Sequence, residues 1–287
     1  MVPFVIGSIE AVRRYYAEDL RFRTRMSSEA LFRAFATVPR ERFLGPGPWL
    51  IMGWGERWTT EEADPRHVYH DTPIALDEVR HINNGQPSLW AYHLDRLQVR
   101  AGEHVLHLGC GTGYYTAIMA EVVGPLGRVV AMEIDEALAE RARGALAPWA
   151  QATVVCGDGA SGPFDATDAI VVSAGATHPL PAWLAAMKPG GRLLFPLTSS
   201  EGPGTMARLT RRGESVYAAR LNGSVAFIEF QGARDVTLSR QLAEALVRDH
   251  GEQVRSLRRD VHDKDKSCWL HGGGWCFSRR EAEEVPG

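Results

Sequence analysis

Glycines at alternate positions in one short turn carry the clearest chemical meaning in this sequence. Residues 104–114 read HVLHLGCGTGY, so Gly109, Gly111 and Gly113 follow an apolar run and precede the apolar stretch 114–123. This order predicts a strand, a tight turn and the start of a helix, as in a nucleotide-binding βαβ unit. Glycine allows the backbone to approach a ligand closely because no Cβ intervenes. The G-x-G-x-G spacing differs from the G-x-G-x-x-G that holds a dinucleotide pyrophosphate, so the ligand need not be a phosphate.

Two carboxylates follow the next two apolar runs. Glu133 ends the run 128–133, and a carboxylate at the end of a second strand can accept hydrogen bonds from both hydroxyls of a ribose. Asp158 follows the run 152–156 and lies between two glycines, where it can accept from an adenine amino group. The alternatives are a solvated strand end for Glu133 and a turn-forming residue for Asp158.

The remaining apolar runs indicate the fold class. A fourth run at 168–173, then a helix end, turn and fifth strand at 187–196, complete the series. Near-continuous apolar strands that alternate with helical patterns predict an α/β fold, whose mostly parallel sheet has helices on both faces. Ligands are then expected at the carboxyl ends of the first strands.

Helices and loops are expected before this core. Residues 8–37 have the spacing of two helices, with Ser27 or Ser28 as the cap of the second. The segment 45–60 is rich in Gly and Trp and predicts a loop, and 81–100 predicts a helix that leads into the core.

The chain beyond the core is expected to extend the sheet. Residues 206–220 predict an antiparallel edge hairpin, 225–230 a further strand and 238–249 a helix with an apolar stripe. Trp269 and Trp275 in the tail suit either an edge strand that packs on the core or a wall for the substrate.

The composition of the chain argues against a disordered, a nucleic-acid-binding and a membrane-spanning protein. A chain of 287 residues with 45% hydrophobic residues can bury a full core, so wholesale disorder is not expected. The net charge of −3 gives no polyanion-binding signal, so nucleic acid is not an expected partner. No apolar run reaches the roughly twenty residues of a membrane helix, and residues 1–7 lack the features of a signal peptide. We therefore expect a cytoplasmic protein without a membrane partner.

The four cysteines fit a reducing compartment as buried thiols. Cys110 lies in the glycine turn and Cys156 ends an apolar run, while Cys268, His271 and Cys276 cluster near the C-terminus. Since the spacing of that cluster matches no standard zinc pattern, no metal is expected there.

The ordered core motifs resemble those of class I S-adenosylmethionine-dependent methyltransferases, which commonly share the KPGGRL turn at 188–193. Three further motifs narrow the family: VPRERF at 38–43, YHDTPI at 69–74 and QPS at 86–88. This order resembles the protein-L-isoaspartate O-methyltransferases, which carry V-P-R-x-x-F, Y-x-D-x-P-[IL] and T-x-S-[QA]-P before the glycine turn. The resemblance covers about residues 27–230.

The resemblance implies a Rossmann-like methyltransferase fold, the cofactor S-adenosyl-L-methionine and the product S-adenosyl-L-homocysteine. The implied cofactor-binding residues are His107, Gly109, Gly111, Gly113, Tyr114, Glu133, Ile134, Asp158 and Gly159. The implied catalytic residues, expected to face the reacting carboxylate, are Asn83, Asn84 and Gln86, with ordinary loop chemistry as the alternative for the two asparagines.

The resemblance also predicts a division of the chain into three parts. Residues 1–80 are expected to form an N-terminal helical and loop region, and residues 81–200 the Rossmann-like core that binds the cofactor. Residues 201–287 are expected to hold the edge hairpin and a C-terminal extension, which exceeds the compact family pattern.

Three positions depart from the family pattern. Gly85 stands where the family has serine, Asn83 where it has threonine, and His107 where it has an acidic residue. The family serine is implicated in placing the substrate carboxylate and the cofactor, and glycine has no hydroxyl for this. We therefore expect weak or no activity on a standard isoaspartyl peptide.

The expected acceptor is a carboxylate of an isoaspartyl-like or modified peptide or protein. A small-molecule O- or N-methyltransferase and a non-catalytic S-adenosylmethionine-binding protein are the alternatives. A carboxylate is ionised at neutral pH and needs no general base, whereas a hydroxyl or amine does. The candidate bases for those alternatives are His70, Asp71, His81 and His178.

Overall fold

The computed structural model describes residues 7–53 and 55–284. The expectation about a signal peptide concerns residues 1–7, of which all but Gly7 lie outside the described residues. The chain divides into two compact units. The first comprises Met1–Glu103 and Cys110–Cys156, and the second comprises His104–Gly109 and Gly157–Gly287.

The helices alternate with strands through the middle of the chain. They are α1 (Ile9–Thr24), α2 (Glu29–Thr37), α3 (Pro87–Leu97), α4 (Tyr114–Val123), α5 (Glu136–Leu146), α6 (Pro181–Ala186) and α7 (Val236–Asp249). In the part of the chain that the structure describes, none of them is both long and apolar enough to cross a membrane.

The strands comprise two short pairs and the long strands of the core. They are β1 (Leu50–Met52), β2 (Arg57–Thr59), β3 (Ala75–Asp77), β4 (Ile82–Asn83), β5 (His104–Leu108), β6 (Arg128–Glu133), β7 (Ala152–Cys156), β8 (Thr167–Val172), β9 (Met187–Leu197), β10 (Gly204–Arg211), β11 (Val216–Val225), β12 (Ser256–Arg258), β13 (Cys268–Gly272) and β14 (Trp275–Ser278).

The first unit contains α1 to α5 and the parallel pair β6–β7, in which Glu133 lies opposite Cys156. The two predicted N-terminal helices are confirmed, and α1 packs on α2. Ser28 caps α2 because its hydroxyl accepts a hydrogen bond from the backbone N–H of Leu31 at 3.2 Å. Helix α4 is apolar on nearly all sides and is almost wholly buried.

The second unit holds a mixed sheet with the strand order β13-β14-β12-β11-β10-β9-β8-β5. Strands β5, β8 and β9 pair in parallel, and β9 to β14 pair antiparallel. The predicted α/β fold class and the predicted hairpin are confirmed. The antiparallel part is longer than predicted, because three strands of the C-terminal tail continue it.

Three local predictions are wrong. The segment 45–60 contains the antiparallel pair β1–β2. The helix predicted over 81–100 begins only at Pro87, whose fixed φ suits the first helical position. Residues 226–230 are not a strand, and Phe230 instead packs its ring on Trp183, with 5.2 Å between centroids. The backbone of this segment forms an isolated parallel bridge with Gly175 instead of a continuous strand.

The two tail tryptophans are buried in the edge strands. Trp269 lies in β13 and Trp275 in β14, at 3% and 9% exposure. This agrees with the packing alternative for these residues, while the wall for the substrate stays a prediction. The three-part division at residues 80 and 200 likewise stays a prediction.

Candidate active site

The glycine turn has the backbone conformation that the sequence predicts. Gly109, Gly111 and Gly113 have φ values of 73°, 57° and 94°, in the left-handed region that side chains with a Cβ rarely adopt. Gly113 also begins α4, where an added Cβ would lie 2.8 Å from a methyl carbon of Leu146. At Gly109 and Gly111 an added Cβ would make ordinary van der Waals contacts, at 3.9 Å and 3.8 Å or more, so the positive φ and not a clash favours glycine there.

Glu133 is held against the glycine turn by two backbone N–H groups. Its Oε2 accepts a hydrogen bond from the N–H of Gly111 at 2.8 Å, and its Oε1 accepts one from the N–H of Asp135 at 3.1 Å. Burial raises the pKa of this carboxyl group above its usual range, while these backbone hydrogen bonds act in the opposite direction. Each carboxylate oxygen has a second lone pair, which a hydroxyl donor can use.

Ile134 follows Glu133 and exposes 47% of its surface. An exposed isoleucine at the end of an inner strand is unusual, because this side chain is among those most often buried. Its implied role in cofactor binding stays a prediction. Tyr114, the first residue of α4, is buried instead, and its ring packs on Phe43 with 5.7 Å between centroids.

His107 is a buried, neutral residue of the central strand β5 in the second unit. Its Nε2 lies 2.8 Å from the hydroxyl oxygen of Ser173, at the end of β8. Burial lowers the pKa of His107 to about 3, so the imidazole is uncharged at neutral pH. The family's acidic residue is therefore replaced by a neutral polar residue.

Asp158 forms a turn. Its Oδ1 accepts from the N–H of Ala160 at 2.8 Å, and its Oδ2 accepts from the hydroxyl of Ser161 at 3.0 Å. This is the turn-forming alternative named above, although a second lone pair on each oxygen leaves room for another donor. Gly159 is buried, and its carbonyl accepts from the indole N–H of Trp183 at 2.8 Å.

Arg40 organises the loop that carries the candidate acceptor residues. It is fully buried, with 0% exposure. Its guanidinium donates to the carbonyls of Val68, His70 and Thr72 at 2.7–2.9 Å, and to Oδ1 of Asn84 at 3.1 Å. These bonds join the V-P-R motif to the Y-x-D-x-P motif. The sequence identifies Arg40 only as part of the V-P-R motif and does not predict this role. The available signal was an arginine directly after an apolar helix and a proline.

The three predicted catalytic residues have different surroundings. Oδ1 of Asn84 also accepts from the N–H of Ile74 at 3.0 Å, whereas its Nδ2 is buried without a hydrogen-bond partner among the described residues. Asn83 accepts from the N–H of Gly85 at 2.8 Å, which is the loop role given above as its alternative. Gln86 donates to Asp71 at 3.3 Å.

Gly85 has a structural reason to be glycine. Its φ is +74°, and an added Cβ would lie 2.5 Å from Nε1 of Trp90. The hydroxyl of Tyr115 donates to its carbonyl at 3.3 Å. The buried ring of Trp90 therefore occupies the space in which a serine side chain would begin.

Two of the four candidate bases, Asp71 and His178, have structural contacts. Asp71 accepts from the N–H of Ser88 at 2.7 Å and so fixes the start of α3. His178 stacks on Trp275 with 6.1 Å between ring centroids, and its burial lowers its pKa. Burial likewise lowers the pKa of His70, and His81 is an exposed turn residue with φ 56°. These contacts form no nucleophile–base arrangement.

Comparison with known proteins agrees with this geometry. The family described as Protein-L-isoaspartate(D-aspartate) O-methyltransferase matches residues 55–235. The chain is 31% identical over 224 residues to the protein-L-isoaspartate O-methyltransferase of Methanothermobacter thermautotrophicus, covering 77% of this chain and 95% of that relative. It is 30% identical over 228 residues to protein-L-isoaspartate O-methyltransferase 2 of Archaeoglobus fulgidus, covering 77% and 93%.

Solved structures show the same fold. A protein-L-isoaspartate O-methyltransferase has a TM-score of 0.64 at 24% identity, covering 81% of this chain and 69% of its own. A putative protein-L-isoaspartate O-methyltransferase from Plasmodium falciparum, in complex with S-adenosyl-L-homocysteine, has a TM-score of 0.62 at 16% identity. That match covers 77% of this chain and 98% of the other.

The solved structures and the glycine turn define a Rossmann-like α/β fold, and the family match makes the chain a methyltransferase that uses S-adenosyl-L-methionine. The chain belongs to the protein-L-isoaspartate (D-aspartate) O-methyltransferase family, because the family match spans well over half of it and the relatives align over most of their length. The predicted family, enzyme class and cofactor are confirmed.

Proposed function

We propose that this protein transfers a methyl group to the carboxylate of an isoaspartyl-type or similarly modified residue in a peptide or protein. The observation that carries the acceptor class is the family match over residues 55–235. The Nδ2 of Asn84 has no hydrogen-bond partner among the described residues, and because it is buried, an acceptor carboxylate would reach it only after the loop moves.

We assign cofactor contacts residue by residue. Glu133 accepts from the ribose hydroxyls through the lone pairs that Gly111 and Asp135 leave open, and Ile134 packs on the adenine. Gly109 and Gly111 let the methionine part approach the backbone closely, because they carry no Cβ. Asp158 accepts from the adenine amino group while it holds its turn. His107, Gly113, Tyr114 and Gly159 support these contacts through the backbone.

Methyl transfer to a carboxylate requires mainly that the protein hold the cofactor and the acceptor in line. S-adenosyl-L-methionine supplies a methyl group on a sulfonium sulfur and leaves as S-adenosyl-L-homocysteine. A carboxylate acceptor has an ordinary pKa near about 4, so no proton has to be removed. Asn84, with Gln86 and Asn83 on the same loop, orients the carboxylate, and holding two reactants in line can supply most of the acceleration.

A small-molecule acceptor is the second candidate, and Gly85 favours it. The space that the family serine would use is filled by Trp90, so the acceptor contacts differ from the family pattern. We also propose that the protein acts in the cytoplasm, which its four free cysteines support.

Methyl transfer to matched peptides tests the proposal. We expect label from S-adenosyl-L-methionine to enter an isoaspartyl peptide as a base-labile ester that releases methanol, and not its aspartyl isomer. The rate should fall below that of a family member that carries the serine. Binding of S-adenosyl-L-homocysteine without transfer to any peptide carboxylate would contradict the proposed acceptor.

A further inference from the structure

Four metal-ligating side chains meet at the sheet edge of the second unit, far along the chain from the methyltransferase motifs. They are His262, Cys268, His271 and Cys276, and one ligand atom from each lies within 4.8 Å of all the others. Both cysteines are buried, at 7% and 0% exposure, and both histidines are partly buried. No metal is expected from the sequence spacing of Cys268, His271 and Cys276, and His262 is the ligand that this spacing does not contain.

The sheet brings two of these residues together through an irregularity. Cys268 and His271 are three positions apart in β13, so a regular strand would place them on opposite faces. The pairing of β13 with β14 shifts register between Cys268 and Leu270, and such an extra residue restores both side chains to one face. His271 then lies directly opposite Cys276.

His262 is oriented as a ligand by its other ring nitrogen. Its Nδ1 lies 2.9 Å from the backbone carbonyl of Asp260, which can only accept, so the proton resides on Nδ1. The Nε2 lone pair therefore points to Sγ of Cys268, 3.5 Å away. A metal-binding histidine commonly has its second nitrogen fixed in this way.

A second, independent observation concerns His271. Its Nδ1 is buried and has no hydrogen-bond partner among the described residues. A buried polar atom without a partner requires an explanation, and an unseen ion is one. The backbone N–H of Asp265 lies 3.4 Å from Sγ of Cys268 and can donate to a thiolate there.

The charges around the cluster fit a dication with two thiolates. Arg258 lies opposite Cys276 in the pairing of β12 with β14, and it forms two hydrogen bonds to Asp260 at 2.5–2.7 Å. Two thiolates neutralise one divalent ion, and Arg258 and Asp260 neutralise each other. The site would thus bury no net charge.

We propose that His262, Cys268, His271 and Cys276 bind one structural Zn²⁺ ion. Sulfur and imidazole ligands favour zinc, and four protein ligands leave no open position for chemistry. Bonds of about 2.0–2.3 Å require ligand atoms roughly 3.3–3.8 Å apart, so the widest pair must approach by about 1 Å. The irregular segment 259–267, which carries His262, can supply that shift.

The ion would fasten this segment to the outermost strand of the sheet. Strand β13 has a neighbour on one side only, and an open edge is a site of unwanted pairing. The ligand spacing is H-x5-C-x2-H-x4-C, which joins a loop to a two-stranded ribbon.

Metal analysis of the intact protein tests the proposal. The chain should be produced with zinc in the medium and purified without a histidine tag or chelator. We expect about one zinc ion per chain, and replacement by Co²⁺ should give the visible absorption bands of tetrahedral thiolate ligation. Less than about 0.1 zinc per chain together with no such Co²⁺ bands would overturn the proposal, as would a Cys268–Cys276 disulfide in freshly purified protein.

Two variants and one matched control locate the ion. Cys276→Ser removes a buried ligand, and His262→Gln removes one from the loop while leaving the strands intact. Both should lose the zinc and the Co²⁺ bands, whereas Cys156→Ser, an exposed cysteine of the first unit, should retain them. Zinc content unchanged in His262→Gln and Cys276→Ser would overturn the assignment. Chelation should lower the Tm of the wild type, by about 5–10 °C, but not that of His262→Gln.

Discussion

The glycine turn and the loop with the candidate acceptor residues are held in place by different means. Hydrogen bonds from its own backbone N–H groups to β6 fix the turn: Cys110 donates to the carbonyl of Met132 at 3.1 Å, and Gly111 donates to the carboxylate of Glu133 at 2.8 Å. The loop is fixed instead by the buried guanidinium of Arg40, which bonds to residues 28–44 positions further along the chain. The turn thus takes part in these bonds through its backbone, whereas the loop depends on the side chain of Arg40.

Arg40→Met is the strongest test of the difference between the glycine turn and the loop. This change leaves the carbonyls of Val68, His70 and Thr72 and the amide of Asn84 without their buried donor. We expect a loss of about 3–5 kcal/mol in the free energy of unfolding. Urea denaturation measures it, with Arg42→Met as the matched control.

Arg42 is exposed and donates to the carbonyl of Ala145 at the surface. Its loss should change stability by less than about 0.5 kcal/mol. Equal effects of the two substitutions would show that Arg40 does not organise the loop.

Gly85→Ser tests whether the positive φ and the contact with Trp90 explain the glycine at this position of the loop. Restoring the family serine would raise turnover if only its hydroxyl were missing. The structure predicts instead a loss of about 2–3 kcal/mol, because the residue has φ +74° and its Cβ would meet Trp90. Gly102→Ser is the control, since Gly102 has φ +80° and open space, and should cost only about 1 kcal/mol. A Gly85→Ser protein with unchanged stability and faster methanol release would contradict this explanation.

The smallest expected effect is that of His107→Gln on the pH dependence of the free energy of unfolding. Its pKa falls to about 3 in the folded state because the ring is buried, so the unfolded chain binds the additional proton below about pH 6.5. The stability of the wild type should therefore decrease as pH falls through 6.5, by at most about 1.4 kcal/mol per pH unit from this residue. His107→Gln should lack this contribution in denaturation curves between about pH 7.5 and 5.5. Identical slopes for the two proteins would contradict the assignment.

The sequence predicts the elements of the fold where local pattern decides them. Strands β5 to β9 and helices α1 and α2 follow from apolar runs and from Ser28 as a cap. Residues 226–230 have a strand-like sequence, yet they form an isolated parallel bridge with Gly175 and not a continuous strand, so pairing rather than propensity decides that segment. The extent of the antiparallel edge was equally unpredictable, because it depends on three strands from the tail.

The candidate site shows the same division. The left-handed glycines follow from the predicted tight turn, and the sequence places Glu133 at the end of the second strand, but it does not predict the bonds of Glu133 to the N–H groups of Gly111 and Asp135. The buried position of Arg40 and the contact of Gly85 with Trp90 depend on packing between separate segments, which spacing does not contain. The four-residue cluster was missed for two reasons. A bulge in β13, which the sequence does not show, brings Cys268 and His271 to one face, and the irregular segment 259–267 brings His262 to them.

Calorimetric titration with S-adenosyl-L-homocysteine tests the central claim most directly, namely that the glycine turn and Glu133 bind the cofactor. The wild type should bind S-adenosyl-L-homocysteine and not NAD. Glu133→Ala should weaken binding by about 1–3 kcal/mol, since the ribose hydroxyls lose their acceptor. Glu140→Ala, an exposed glutamate in α5, should bind as the wild type does. Equal affinities for the wild type and Glu133→Ala would contradict the account.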